Sequence, residues 1–142
     1  MVEKRTHRKI ACHGWTLLEL MITLVVVALL TAIAYPSYRI HIIKSSRADG
    51  RAMLYDAAQK EQQFFTTNTA FTATVGTGGL RMSSSSTKGY YTLSITATAT
   101  TYTLTATRVS PQTEDTLCGD LTLTHLGARG ISGGSLSADD CW

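Results

Sequence analysis

Residues 14–36 read GWTLLELMITLVVVALLTAIAYP, and the interpretation of the rest of the chain turns on this stretch. From Trp15 to Tyr35 there are 21 residues and a single charge, Glu19. As a helix they would extend about 31 Å, enough to cross the hydrocarbon core of a bilayer. A core helix of a small soluble domain needs a polar face, and this segment has none. It reads as a segment that enters a membrane.

Outside it the composition changes sharply. The 142 residues are 44% hydrophobic and 16% charged, which excludes an intrinsically disordered or highly charged chain. The mean hydropathy of +0.04 averages an apolar N-terminal part with a Thr-, Ser- and Gly-rich part from 66 to 142. The formal charge of +3 is equally uneven, because Lys4, Arg5, Arg8 and Lys9 against Glu3 account for all of it. The remaining chain is balanced, so net charge gives no ground for nucleic-acid binding there. Of the three cysteines, Cys12 lies in the basic segment and Cys118 and Cys141 near the C-terminus. Without the basic segment the last two can pair, which requires an oxidising compartment. Closing a loop of about 24 residues would add roughly 3.5 kcal/mol on the chain-entropy model.

Three kinds of segment begin this way. A secretory signal peptide would be cut after Ala32-Ile33-Ala34, but its apolar stretch is usually shorter and does not contain an acid. A plain signal anchor also gives no reason for Glu19, since a carboxylate costs about 2.5–3.5 kcal/mol at the bilayer centre and less near an end. The third kind explains both the acid and the basic segment. Gly14-Trp15-Thr16-Leu17-Leu18-Glu19-Leu20 resembles the processing site of type IV pilins and pseudopilins. In that family a membrane aspartyl peptidase cuts the basic leader after Gly and methylates the new N-terminus. The resemblance implies cleavage between Gly14 and Trp15, an N-methylated Trp15 where the family usually has Phe, and Glu19 at the fifth mature position. Pro36 becomes the twenty-second mature residue, where many type IV pilins also carry Pro, and it should kink or locally melt the helix.

The resemblance gives Glu19 a partner. The freed Trp15 amino group of one subunit can meet the Glu19 carboxylate of its neighbour, setting the axial register of a helix bundle, while desolvation offsets much of the attraction. The alternative is a Glu19 that snorkels to the interface. Membrane orientation is undecided by basic residues alone: Arg39, Lys44, Arg47 and Arg51 balance the four leader cations. The closer packing of the leader charges and the cysteine pair favour a C-terminus outside the cytoplasm.

Beyond the membrane, Ala48, Ala52, Tyr55, Ala58, Gln62 and Phe65 repeat at helical spacing, with Lys44, Arg47 and Arg51 on another face. One helix is expected from about Thr16 to Phe65, with Gly50 as a weak point. Alternation at Tyr91–Ala97, Tyr102–Ala106 and Leu121–Leu123, with His125 or Leu126 following, predicts an antiparallel sheet covered on one face. Segments 66–88 and 127–140 read as loops. The expected fold is α+β: leader 1–14, membrane or filament-core helix 15–36, amphipathic half 37–65, and a β head 66–142. Cys118-Gly119-Asp120 and the closing Cys141-Trp142 resemble the disulfide-bounded terminal loop of minor pilins.

No enzymatic, cofactor or metal chemistry is expected. Of the four histidines, His7, His13, His41 and His125, the first two leave with the leader; His125 has no paired acid or serine at a recognised spacing, and Cys118, His125 and Cys141 do not match zinc spacing. Asp139 and Asp140 are better read as a solvated loop than as a calcium site. Gly76-Thr77-Gly78-Gly79 is not followed by Lys-Ser or Lys-Thr, so it is not a phosphate loop. The Lys44–Arg47–Arg51 face could touch headgroups or DNA, but reads first as the polar face of an assembled helix. The resemblance implies a minor pilin of a type IV pilus, serving pilus biogenesis, twitching motility, adhesion or DNA uptake. Its partners would be other pilin subunits, the prepilin peptidase and the inner-membrane assembly machinery, with DNA possible but unsupported. It would sit in the bacterial inner membrane before joining an extracellular pilus. A type II secretion pseudopilin is the nearest alternative, and a secreted disulfide-bonded binding module released at Ala34 is the alternative of another class.

Overall fold

The computed structural model describes residues 14–142. The basic segment with Cys12, His7 and His13, expected to form the leader, lies outside the described residues. A long helix, α1 (Leu17–Asn68), is followed by strands β1 (Tyr91–Ala97), β2 (Tyr102–Arg108), β3 (Asp120–Thr124) and β4 (Arg129–Ser132). A 3-10 turn at Gln112–Glu114 separates β2 from β3, and a short helix, α2 (Ala138–Cys141), follows β4. The chain divides into two compact units, one ending at Tyr38 and the other spanning Arg39–Trp142.

In the first unit, Thr16 starts the helix. Its hydroxyl accepts the Glu19 N–H at 3.2 Å and its carbonyl accepts the Leu20 N–H at 3.2 Å. Thr-x-x-Glu is a capping sequence, so one orphan donor of the first turn is satisfied locally. Farther along, the Thr23 hydroxyl donates to the Leu20 carbonyl, and the Thr31 hydroxyl to those of Val27 and Ala28. Both polar side chains are thus satisfied within the helix, as a segment in lipid requires. The apolar window reaches a mean hydropathy of 2.6 with none of it buried. The helix continues through Pro36, so the local melting expected there does not occur.

In the second unit the sheet order is β1-β2-β3-β4, antiparallel throughout. The alternation places Tyr91, Leu93, Tyr102, Leu104, Ala106, Leu121 and Leu123 in the core, as the sequence pattern predicts. They meet Met53, Leu54 and Ala57 of α1. Each fully buried leucine contributes about 1.5–3 kcal/mol. On the opposite face, Thr92 pairs with Thr107, Ser94 with Thr105, and Thr96 with Thr103. On β3, Thr122 continues the row of Thr105 and Thr124 that of Thr103.

Four expectations are corrected. The helix runs past Phe65 to Asn68. Its buried face is Ser46, Arg47, Asp49, Gly50, Met53, Leu54, Ala57 and Glu61, whereas Ala48, Ala52, Tyr55 and Gln62 of the expected stripe are exposed. The apolar repeat was misleading because three ionisable side chains are buried on this face: Arg47 pairs with Asp115, while Asp49 and Glu61 accept the Lys88 and Thr72 N–H groups. The segment expected as a loop from 127 to 140 contributes β4, and α2 begins within it. His125 lies just past β3 and donates its backbone N–H to the Tyr102 carbonyl at 3.0 Å.

Arg47 is the main surprise. Its guanidinium forks onto Asp115, with Nε–Oδ2 at 2.7 Å and Nη2–Oδ1 at 3.0 Å, and both side chains are buried. The same Asp115 accepts from the Cys118 N–H and the Gln112 side chain, while Gln112 also donates to the Ile43 carbonyl of α1. A buried bidentate pair whose carboxylate also accepts two further hydrogen bonds is costly to break from one side, by about 3–5 kcal/mol. Cys118 and Cys141 are bonded, with Cα atoms 5.6 Å apart, so the segment beside Asp115 is tied to α2 as well.

Gly50 is a packing position. A Cβ there would lie 2.9–3.0 Å from ring carbons of the fully buried Tyr91. Gly50→Val should destabilise the head by about 1–3 kcal/mol in urea melts. Ala48→Val, on the exposed face, should cost less than about 1 kcal/mol. Equal costs would contradict the assigned packing face.

Glu61 is fully buried; one carboxylate oxygen accepts the Thr72 N–H at 3.1 Å, and among the described residues the other has no partner. Burial raises its pKa above the ordinary 4.5, only partly opposed by that hydrogen bond. The fold therefore favours the protonated acid, and its stabilising effect is full below the ordinary value and lost as pH rises through the folded value. Glu61→Gln should remove this dependence, so the stability of the variant relative to wild type should rise between pH 4 and pH 7. A difference independent of pH would contradict it.

Candidate functional site

The residues expected to act at the N-terminus are adjacent in the structure. Gly14 precedes the helix, and among the described residues beyond its chain neighbours no atom lies within 4 Å of where a Cβ would stand. Trp15 is 66% exposed. Glu19 lies in the first turn of α1, where a carboxylate also suits the positive end of the helix dipole. Among the described residues no cation pairs with its carboxylate. Pro36 stands inside α1, and Cys118 and Cys141 form their bond in the head. Sequence reading missed Thr16, although Thr16-Leu17-Leu18-Glu19 carries the capping signal in plain view.

In the head, the expected Lys44–Arg47–Arg51 face does not exist as a set. Arg47 is consumed by Asp115, while Lys44 is exposed and Arg51 half-buried. A different pair of cations converges on a cleft of about 510 Å³ between α1 and the loop after it. Lys60, Gln63, Phe64 and Asn68 come from the helix, and Gly78, Gly79 and Arg81 from the loop.

The loop is held in place at its base. Phe71 stacks on Phe65 with ring centroids 4.6 Å apart and meets Tyr102 edge-on at 4.8 Å. Its N–H donates to the Ala99 carbonyl, and the next N–H to Glu61. Tight backbone bonds then fold the tip: Leu80 N–H to the Thr74 carbonyl, and Arg81 N–H to that of Gly76. Gly79 is required, because a Cβ there would collide with the Thr74 carbonyl oxygen at 1.9 Å. Arg81 itself adopts φ 53°, a left-handed conformation unfavourable for a residue with a Cβ.

Among the described residues, neither Lys60 nor Arg81 has an acidic partner. Two uncommitted cations, the amides of Gln63 and Asn68, and the half-buried ring of Phe64 make a place suited to an anion with an adjoining flat or apolar part. The cations come from separate elements and occupy no motif, so only the fold brings them together. No group of His, Cys, Asp and Glu suited to a metal occurs among the described residues. Asp140 is engaged with Ser137, the N-cap of α2, at 2.7 Å.

Two family models match adjoining parts of the chain. One, described as Type IV minor pilin ComP, DNA uptake sequence receptor, matches residues 36–122, and the other, the Prokaryotic N-terminal methylation motif, matches residues 10–35. Among solved structures the chain is similar to a type IV pilin from Shewanella oneidensis at 24% identity. That match covers 70% of this chain and 97% of the other, with a TM-score of 0.49. No curated protein sequence matches. The ComP model spans more than half of the chain, and the methylation motif covers the apolar segment that precedes it. The chain belongs to the type IV minor pilin ComP family and is a type IV minor pilin.

Proposed function

We propose that this minor pilin is made as a precursor, cut between Gly14 and Trp15 by the prepilin peptidase, methylated on Trp15 and drawn from the inner membrane into the pilus. The observation that carries the reading is the junction of the two family matches at residues 35 and 36, where the apolar stretch ends. In this scheme residues 1–14 are the leader, 15–36 the membrane and filament-core helix, 37–65 its amphipathic half, and 66–142 the head. The head lies outside the cytoplasm, in keeping with its disulfide. Glu19 sets register by meeting the Trp15 amino group of a neighbouring subunit, and Pro36 marks the end of the apolar segment.

The head binds DNA. The matched family is described as a DNA uptake sequence receptor, and the Lys60–Arg81 cleft offers this chain's most evident uncommitted cations for phosphate, beside the Phe64 ring for a base or sugar. Net charge gave no hint of this because binding requires local rather than overall charge.

Gly14→Ala should leave most of the precursor uncut on immunoblots, and efficient processing would count against the site. Glu19→Leu should insert in the membrane at least as well as wild type yet be depleted from sheared filaments. Normal incorporation would remove the register role. For the head, Lys60→Gln with Arg81→Gln should weaken duplex binding in gel shifts and lower the slope of log K against log salt by about 2. An unchanged slope would place the DNA elsewhere.

A further inference from the structure

The outward face of the sheet has an unusual chemistry. Its central row is Ser94, Thr105 and Thr122, ending at Gly130, and the flanking rows are threonine wherever β1, β2 and β3 reach them, apart from Asp120 at one corner. Asp120 is neutralised by Arg108 at 2.9 Å. Threonine favours strands wherever it points, so propensity explains its presence. Propensity does not explain why Lys, Arg and Glu are missing from the interior of this face, where they commonly form cross-strand pairs on solvated sheets. Of the row hydroxyls on β1, β2 and β3, the Thr124 side chain meets a protein group, accepting the Ala128 N–H at 3.2 Å; among the described residues the others have none. Gly130 keeps the row clear, since a Cβ there would stand 2.5 Å from the Thr122 hydroxyl.

The result is a neutral array of free hydroxyls and methyls, spaced about 4.8 Å across strands and about 6.7 Å along them. The β-branched side chains are stiff at χ1, so little rotamer entropy is lost on contact. A charged polymer such as DNA finds no uncompensated cation in these rows, since Arg108 is paired with Asp120, and Lys60 and Arg81 line the cleft instead. A rigid crystal surface does not fit either, because strands twist by about 20–25° from one to the next. A flexible, uncharged polyol chain can follow that twist, setting its C–H patches on the methyls and its hydroxyls on the hydroxyls.

We infer that the outward Thr/Ser face of β1–β3 is a docking surface for neutral polysaccharide, separate from the DNA-binding cleft. The test is retention of the full chain, in a sugar-free detergent, on amorphous cellulose, with soluble hydroxyethyl cellulose as competitor. Wild type should be retained and released by the competitor. Ser94→Lys with Thr105→Glu keeps net charge and supplies an opposite-charge cross-strand pair, so the fold is preserved. It should lower retention at least fivefold while leaving the DNA gel shift unchanged. Thr105→Val, which keeps shape and loses only the hydroxyl, should lower retention about twofold, and Lys60→Gln with Arg81→Gln should leave it unaltered. Wild type that is not retained, or double-variant retention equal to wild type, would overturn the inference. So would a concentration-dependent dimer in sedimentation that the double variant abolishes without any cellulose binding, because the face would then join copies of this chain.

Discussion

A helix half that is apolar on every side cannot be left in water, and the organisation of this protein follows from that constraint. Leu17, Leu18, Leu24, Leu29 and Ile33 are each more than 60% exposed. Covering side chains of this kind is worth about 1.5–3 kcal/mol apiece. Lipid and a bundle of like helices both supply such cover, and a type IV pilin passes from the first to the second. Because lipid tails and neighbouring leucines are almost equally apolar, transfer between them is nearly neutral in hydrophobic terms. Glu19 is the one charged side chain in the stretch, and in the proposed scheme it supplies the register that hydrophobic burial does not. The Thr23 and Thr31 hydroxyls bond back to the helix backbone, so they are satisfied in either apolar environment.

The head solves a different problem. A small sheet with one covered face has a thin core, and this one is reinforced by polar ties. Arg47 and Asp115 fix the turn between β2 and β3 to the helix, Arg39 and Glu114 make a second, exposed tie at the same turn, and the disulfide brings α2 to it. The exposed pair adds little, since solvent screens it, whereas the buried one cannot be broken singly without stranding a charge. Tyr91 completes this region: among the described residues its buried hydroxyl has no hydrogen-bond partner, and burial pushes its pKa up to about 12. With the frame rigid, the loop from Phe71 to Arg81 can be held in a strained shape and still present a cation beside Lys60.

Period-two alternation made β1, β2 and β3 legible, because one face of each is covered and the other solvated. The long apolar run, the Gly14–Glu19 pattern and the cysteine pair were legible for the same kind of reason, being local and chemically extreme. The packing face of α1 was not. Arg47, Asp49 and Glu61 look like solvent-facing residues until their partners are known: Asp115 and the Lys88 N–H come from far along the chain, and the Thr72 N–H from the loop just beyond the helix. β4 was hidden by its brevity and its glycine, and the Lys60–Arg81 cleft by the distance between those residues in the sequence. Long-range pairing of charged groups leaves no periodic trace.

The most direct measurement is the intact mass and N-terminal residue of the chain recovered from sheared filaments. A polypeptide beginning at N-methylated Trp15, with Cys118 and Cys141 oxidised, is the expected result. A chain beginning at Tyr35 and free in the medium would show that the apolar segment is discarded as an export signal, and pilus assembly through that helix would be ruled out.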